Sequence, residues 1–225
     1  MAHGVFVTGT DTGVGKTFAS AALLRALVAR GVRSIGMKPV ASGIEPGARS
    51  NSDVGELDAA SNVEAPLRDR NPYCFEPAIA PHVAAAQAGV RIDLDVIAAA
   101  YGRLCMRAQA IVVEGAGGAM VPLDDHADML DIPARLELPV VLVVGMRLGC
   151  INHAMLSGLA LRNRGLRFAG WVANHVDPEM QQTEASLCTL EQRLRAPLLA
   201  RIGWGSIADF DAEALAAMGF PSSGA

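Results

Sequence analysis

At 225 residues the chain has the length of one larger α/β domain, and 51% apolar content with only 4% aromatic residues points to a core of Ala, Val, Leu and Ile. A net charge of −4, from 19 Lys and Arg against 23 Asp and Glu with no block of like charges, excludes a nucleic-acid or anionic-membrane footprint and favours small-molecule chemistry. No apolar run reaches the roughly 18 residues of a membrane span and the N-terminus carries no basic leader region, so we expect a soluble, cytoplasmic protein.

Along the chain, "GVFVTG" at 4 to 9 reads as a strand, followed by a helix over 16 to 30 that Gly31 closes. "RSIGMKPV" at 33 to 40 is the second strand, and a helix is expected over 53 to 61. Residues 62 to 92, with Pro66, Pro72, Pro77 and Pro81, interrupt the alternation and read either as a substrate-facing insertion or as a surface loop. A helix over 93 to 109, opened by Asp93, leads to a strand, "AIVVEG", at 110 to 115. The remaining order is a helix at 127 to 137, the strand "PVVLVVG" at 139 to 145, a helix at 150 to 164 closed by Gly165, the strand "FAGWVANH" at 168 to 175, a helix at 179 to 194 and the strand "PLLARIG" at 197 to 203. "GFPSSGA" reads as a frayed end, making the tail from about residue 218 flexible.

Strands without polar alternation are buried on both faces, as in a parallel sheet whose crossover helices cover both surfaces. The expectation is one α/β domain over 1 to 225, with a mostly parallel central sheet and helices on both faces. Cys74, Cys105, Cys150 and Cys188 show no paired spacing for zinc and read as buried, reduced thiols.

"GTDTGVGKT", residues 9 to 17, lies between the first strand and the first helix. The phosphate-loop pattern G-x-x-x-x-G-K-[ST] places its first glycine at position 10, but Thr10 stands there and Gly9 comes one residue early. A Gly-rich turn at this place aims backbone N–H groups and the positive end of a helix dipole at one point, which suits a polyphosphate. Lys16 adds a point charge for the outer phosphates, and the Thr17 hydroxyl is placed to ligate Mg²⁺. Residues 13 to 17 suffice for the cradle, so Thr10, Asp11 and Thr12 become a lip suited to a second reactant beside the γ-phosphate.

Magnesium needs a carboxylate at the end of a buried strand, and Glu114 in "IVVEGAGG" stands there before glycines that let a ligand approach the backbone. Asp53 in "SNSDVGEL" is either a second metal ligand or a helix N-cap. Lys38 in "MKPVASG" falls at the C-terminal end of the second strand, on the ligand-binding edge of such sheets, and Ser42 faces the same space.

Taken together, "FVTGTDTGVGKT", "KPVASG", "NSD", "VEGAGG", "PVVLVVG" followed by "LGCINHA", and "GWVAN" resemble, over roughly residues 4 to 203, the dethiobiotin synthetase family of the P-loop NTPase superfamily. The family's one-residue-long loop is itself part of the match. The resemblance implies a homodimer that uses MgATP, CO₂ or bicarbonate, and 7,8-diaminononanoate to close a ureido ring in biotin biosynthesis. It implies that Lys16, Lys38 and Thr12 serve the reacting γ-phosphate and carbamate, that Thr12, Lys38, Ser42 and Gly117 contact substrate, and that Thr17, Asp53 and Glu114 hold Mg²⁺. It places ATP on Gly13, Val14, Gly15, Lys16, Thr17, Phe18, Asp53, Glu114, Gly115, Ala116 and Gly117, with Asn174, His175, Gly203 and Trp204 at the base. Cys150, Ile151 and Asn152 would receive the carboxylate tail of substrate bound mainly by the other subunit.

Three departures accompany the resemblance. Gly13 replaces a frequently acidic position, "TEASLC" lacks a tyrosine that can meet the substrate tail, and "IGWGS" at 202 to 206 replaces a Pro-Trp-Leu-like base loop while keeping Trp204. "NHVD" at 174 to 177 has the spacing of a guanine-reading loop without its lysine. A related amidoligase of the same superfamily is the alternative enzyme, and a nucleotide-dependent switch or partitioning ATPase the alternative of another class. Such switches commonly carry an extra lysine early in the loop, where this chain has Thr10, Asp11 and Thr12.

Overall fold

The structure, a computed structural model, describes residues 2–44, 47–48, 50–206 and 209–220. Six strands form the main sheet: β1 (His3–Gly9), β2 (Ser34–Met37), β5 (Ala110–Gly118), β6 (Val140–Met146), β7 (Phe168–His175) and β8 (Leu198–Ile202). Their order across the sheet is β2-β5-β1-β6-β7-β8, and every neighbouring pair is parallel. All C-terminal strand ends therefore meet on one edge, where open α/β sheets bind ligands.

Burial on both faces explains the unbroken apolar runs. Val5 and Val7 of β1 join Val112, Val141, Val143 and Val172 in a layer beneath α1 (Lys16–Ala29), α2 (Ser52–Ala60) and α9 (Ala212–Met218). Phe6, Ile111 and Val113 point the other way, toward α4 (Pro81–Gln87), α5 (Leu94–Cys105) and α6 (Asp131–Leu136). A third apolar layer sets Leu142, Val144 and Trp171 against α7 (Cys150–Asn163) and α8 (Thr183–Leu194). The alternation predicted from sequence is thus present, with crossover helices on both faces.

The second strand is shorter than expected. It stops at Met37, because Pro39 cannot donate to a sheet ladder and the Lys38 N–H leaves to bond the Arg70 carbonyl at 2.8 Å. The chain then forms β3 (Val40–Ser42), which pairs with β4 (Tyr73–Phe75) in a separate two-stranded parallel sheet. The irregular stretch from 62 to 92 accordingly contains α3 (Leu67–Arg70), β4 and α4 instead of loop alone. The helix expected from 127 begins only at Asp131, after a turn bridged between Pro122 and Asp128, and the helix expected to 109 ends at Cys105.

The described part of the tail forms a ninth helix. Asp211 caps α9 by accepting the Ala214 N–H at 2.8 Å, Gly219 ends the helix at φ 92°, and the Phe220 N–H bonds the Leu215 carbonyl. Met218 and Phe220 are buried in the apolar layer over α1, so residues 218 to 220 pack against the fold; residues 221–225 lie outside the described residues. Phe220→Ala should lower stability by about 3 kcal/mol, read as an earlier urea midpoint with an unchanged slope, whereas a frayed tail would leave the midpoint where it was.

Candidate active site

The loop after β1 is tied to the neighbouring strand by the Thr10 N–H, which bonds the Val143 carbonyl at 3.0 Å. Gly13 and Gly15 take left-handed conformations, with φ 73° and 84°. Gly15 then stands as the N-cap of α1, which has no side-chain cap and no acidic residue in its first turn. The first N–H groups of the helix therefore face the loop unclaimed by side chains, a ready anion cradle. A side chain at Gly15 is doubly excluded, by its φ and by collision with the Asn174 amide.

Two buried lysines converge there. Lys16, at the start of α1, donates from Nζ to the Asp11 carbonyl at 3.0 Å. Burial, followed by the charge of Lys38, lowers its pKa to about 8. Lys38 lies 2.6 Å from Asp53 Oδ2 and 2.5 Å from Glu114 Oε1, with only 4% of its side chain exposed. Burial opposes its charge, but Glu114 and then Asp53 outweigh that effect and raise its pKa above the ordinary value.

Each carboxylate is placed by a different element. Glu114 lies in β5 opposite Val7 of β1 and is fully buried; its Oε1 accepts from Thr17 Oγ1 at 2.8 Å, and its Oε2 is buried without a partner. Asp53 is not the helix cap. Asn51 is, accepting the Asp53 N–H at 3.0 Å while its Nδ2 donates to the Ser42 and Gly43 carbonyls. The Asp53 carboxylate is thereby free to meet Lys38. Burial would push it up, but Lys38 outweighs burial and holds it below the ordinary aspartate value.

Thr12, Gly13, Gly15, Lys16, Thr17, Phe18, Lys38, Ser42, Asp53, Ala116 and Gly117 line one cleft of about 780 Å³. The predicted residues at the phosphate end are thus gathered, but others sit elsewhere. Val14 is buried in the core and does not line the cleft; its carbonyl accepts from Asn174 Nδ2 at 2.8 Å. Gly115 faces Phe6 and Met129 behind the strand and does not line the cleft. His175 closes β7, and Gly203 and the 64%-exposed Trp204 follow β8, also outside this cleft. Cys150, Ile151 and Asn152 line a separate hollow of about 1050 Å³ with Arg147, Met155 and Met180.

Sequence reasoning missed the cleft's apolar wall. Ala78, Ile79, Ala80 and Pro81 come from the stretch left open as insertion or loop, and the structure turns it toward the cleft. Pro81, a first-turn helix residue after "EPAIA", was the available signal. Asn51, read only as part of "NSD", carries the cap that had been considered for Asp53.

A parallel sheet with this loop at its central strand, a Lys-Thr pair opening the helix and a carboxylate on the adjacent strand defines a P-loop nucleotide-binding protein. A family model described as an AAA domain matches residues 3–209. ATP-dependent dethiobiotin synthetase BioD of Nitrosospira multiformis is 53% identical over 88% of this chain and 87% of that protein. The protein of the same name from Xanthomonas euvesicatoria pv. vesicatoria is 49% identical over 95% and 97%. The chain belongs to the ATP-dependent dethiobiotin synthetase family. Among solved structures, the septum site-determining protein MinD of Pyrococcus horikoshii superposes with a TM-score of 0.55 at 17% identity, over 90% of this chain and 81% of that one, a likeness of fold alone.

If the cradle requires the open, left-handed position at 15, Gly15→Ala will weaken binding of a fluorescent ATP analogue on the order of 10²-fold in equilibrium titration. Affinity near that of the unaltered protein would show that the cradle does not depend on Gly15.

Proposed function

We propose that this chain closes the ureido ring of dethiobiotin from 7,8-diaminononanoate and CO₂, using MgATP. One amine adds to CO₂ and loses a proton to give a carbamate. A carbamate oxygen attacks the γ-phosphorus and ADP leaves, giving a carbamic–phosphoric anhydride. The second amine then attacks the carbonyl carbon, phosphate leaves with the bonding electrons, and a proton is released.

The observation that carries this reading is the buried Lys38 beside Lys16 in a cleft that continues past the phosphate cradle to an apolar wall. Lys16 and the first-turn N–H groups of α1 hold the phosphates, and Lys38 lies where charge gathers between carbamate and γ-phosphate. Fixed cations in a water-poor site act most strongly on charge that develops in the transition state. Thr12 and Ser42 orient the acceptor, and Ile79, Ala80 and Phe18 offer its methylene chain an apolar face.

Thr17, Asp53 and Glu114 present only oxygen donors, and Glu114 Oε2 is buried and unpartnered, a fit for one hard cation that completes its shell with water and phosphate. Mg²⁺ held there would neutralise charge on the β- and γ-phosphates. For the base, Asn174 donates one Nδ2 hydrogen to the Val14 carbonyl, and its Oδ1 stands as an acceptor. That acceptor complements the 6-amino donor of adenine.

Within one chain, Cys150 to Asn152 lie in a different hollow from the cradle, so we assign them to the substrate of a second copy. Leu148, Leu156 and Leu159 supply the apolar contact for such a homodimer: they are 95%, 58% and 49% exposed at and along α7. No helix of the described residues is long and apolar enough to cross a membrane, and we place the enzyme in the cytoplasm, where its four free cysteines stay reduced; only Cys150 is buried as expected, while Cys74 and Cys105 are half-buried and Cys188 is exposed.

With MgATP, bicarbonate and the diamine, phosphate release should depend on the diamine and yield a product of dethiobiotin mass, with GTP a poorer substrate than ATP. Release indifferent to the diamine would overturn the synthetase reading. Lys38→Ala should lower single-turnover phosphate release by about 10² to 10³-fold while a fluorescent nucleotide still binds, and its loss of both carboxylate contacts should destabilise the fold by about 3 kcal/mol. Near-normal turnover would remove Lys38 from the mechanism.

A further inference from the structure

Asp11 and Arg147 are 136 positions apart, yet Arg147 Nη2 meets Asp11 Oδ2 at 2.6 Å. The two sides of Asp11 are both in use. Its Oδ1 accepts the Thr12 N–H at 2.7 Å, and its carbonyl accepts Lys16 Nζ at 3.0 Å. Arg147 in turn immediately precedes the turn that starts α7: its carbonyl accepts the Cys150 N–H at 3.0 Å, and Gly149 between them takes φ 95°. One ion pair therefore joins the rim of the cleft, where Thr12 and Lys16 sit, to the rim of the second hollow, which Arg147 lines with Cys150, Ile151 and Asn152.

From this geometry we propose that Asp11 and Arg147 are positioning residues, a brace that sets the lip of the phosphate loop against the start of α7. The proposal rests on the synthetase reading for what the lip and α7 contact. Arg147 fixes the rotamer of Asp11, and Asp11 fixes the Thr12 amide and with it the path of the lip. The sheet alone does not do this. β1 and β6 are in register through Gly9 and Val143, and the Thr10 N–H makes the last bond between them, so Asp11 and Thr12 lie beyond the ladder. Both partners are partly exposed, at 40% and 49%, and a pair so solvated contributes little to global stability. Its consequence is local, in where the acceptor lies relative to the γ-phosphate.

The test compares Asp11→Asn, Arg147→Ala, Arg147→Lys and the Asp11→Asn/Arg147→Ala double variant with the unaltered protein. A brace predicts that each of the first two lowers kcat/KM for the diamine by about 10- to 100-fold. The double variant should be no worse than the poorer single, as for two ends of one contact, and Arg147→Lys should recover most of the loss. KM for ATP should stay within about threefold in all, because the cradle amides at 13 to 17 are untouched. If Arg147 instead touched the substrate carboxylate directly, Arg147→Ala alone would be impaired and Asp11→Asn would be near normal, which overturns the proposal. Multiplicative losses in the double variant overturn it too.

Hydrogen exchange gives a reading independent of turnover. Both single variants should raise exchange at residues 10 to 13 and at 149 to 152 together, and unchanged exchange at either segment refutes the brace. Failure of the unaltered protein to release phosphate in response to the diamine would overturn only the functional reading.

Discussion

A lysine ammonium cannot be withdrawn from water without opposite charge close at hand, and the site is organised around that constraint at Lys38. The requirement reaches into three elements. β5 must carry a glutamate at a depth where every other strand residue is apolar. α2 must begin so that Asp53, and not its cap, faces inward, which Asn51 secures. β2 must end one residue before Lys38, and the Lys38 backbone is then gripped at both ends, its N–H by Arg70 and its carbonyl by Asn71 Nδ2 at 2.7 Å. Such a buried arrangement is weak as a source of stability. Its value lies in presenting a fixed positive charge, held by two carboxylates, at one point.

The main sheet was legible in the sequence because a parallel sheet buried on both faces writes itself as short β-branched runs, and those runs need no partner to be recognised. The break at Pro39 was less so. "RSIGMKPV" is apolar throughout, and only the pairing of β3 with β4, more than thirty residues onward, shows that the chain changes sheet there. α9 carries local signals of its own, Asp211 as cap and Gly219 as terminator, but its short apolar face is recognisable only against the layer it packs on. Local reading is weakest where a tertiary partner decides the outcome.

The site divides along the same line. Lys16, Thr17, Lys38 and Asp53 were readable because their chemistry is tied to a strand end and to helix starts, positions that the apolar pattern fixes; Glu114, expected at the end of its strand, lies inside β5, which runs on to Gly118, and was readable as the lone carboxylate in an apolar run. Val14 and Gly115 fall within the same motifs, but one side chain supports the loop from the core and the other position exists to admit Phe6 and Met129. A motif marks a backbone path, and it does not say which of its residues face the ligand. The wall from Ala78 to Pro81 and the Asp11–Arg147 pair depend on distant segments meeting, and no motif announced either.

The displaced glycine of the phosphate loop now has a physical reason. A side chain at position 9 would collide with Val14 Cγ2 and crowd the Asp11 carbonyl, because Val14 folds back beneath the loop and packs under Gly145. At position 10 no such demand arises: the Thr10 N–H is used on Val143, and its side chain is free. The glycine is required where the strand ends and the loop doubles under itself, and one extra residue then fits between that point and the cradle. The left-handed turns at Gly13 and Gly15 come after that point, so the added length falls in the lip formed by Thr10, Asp11 and Thr12. A loop that only gripped nucleotide would have no use for that projection. On the synthetase reading proposed above, a lip that sets a second reactant against the γ-phosphate needs to be held still, and Arg147, just after β6, pairs with Asp11 in that lip.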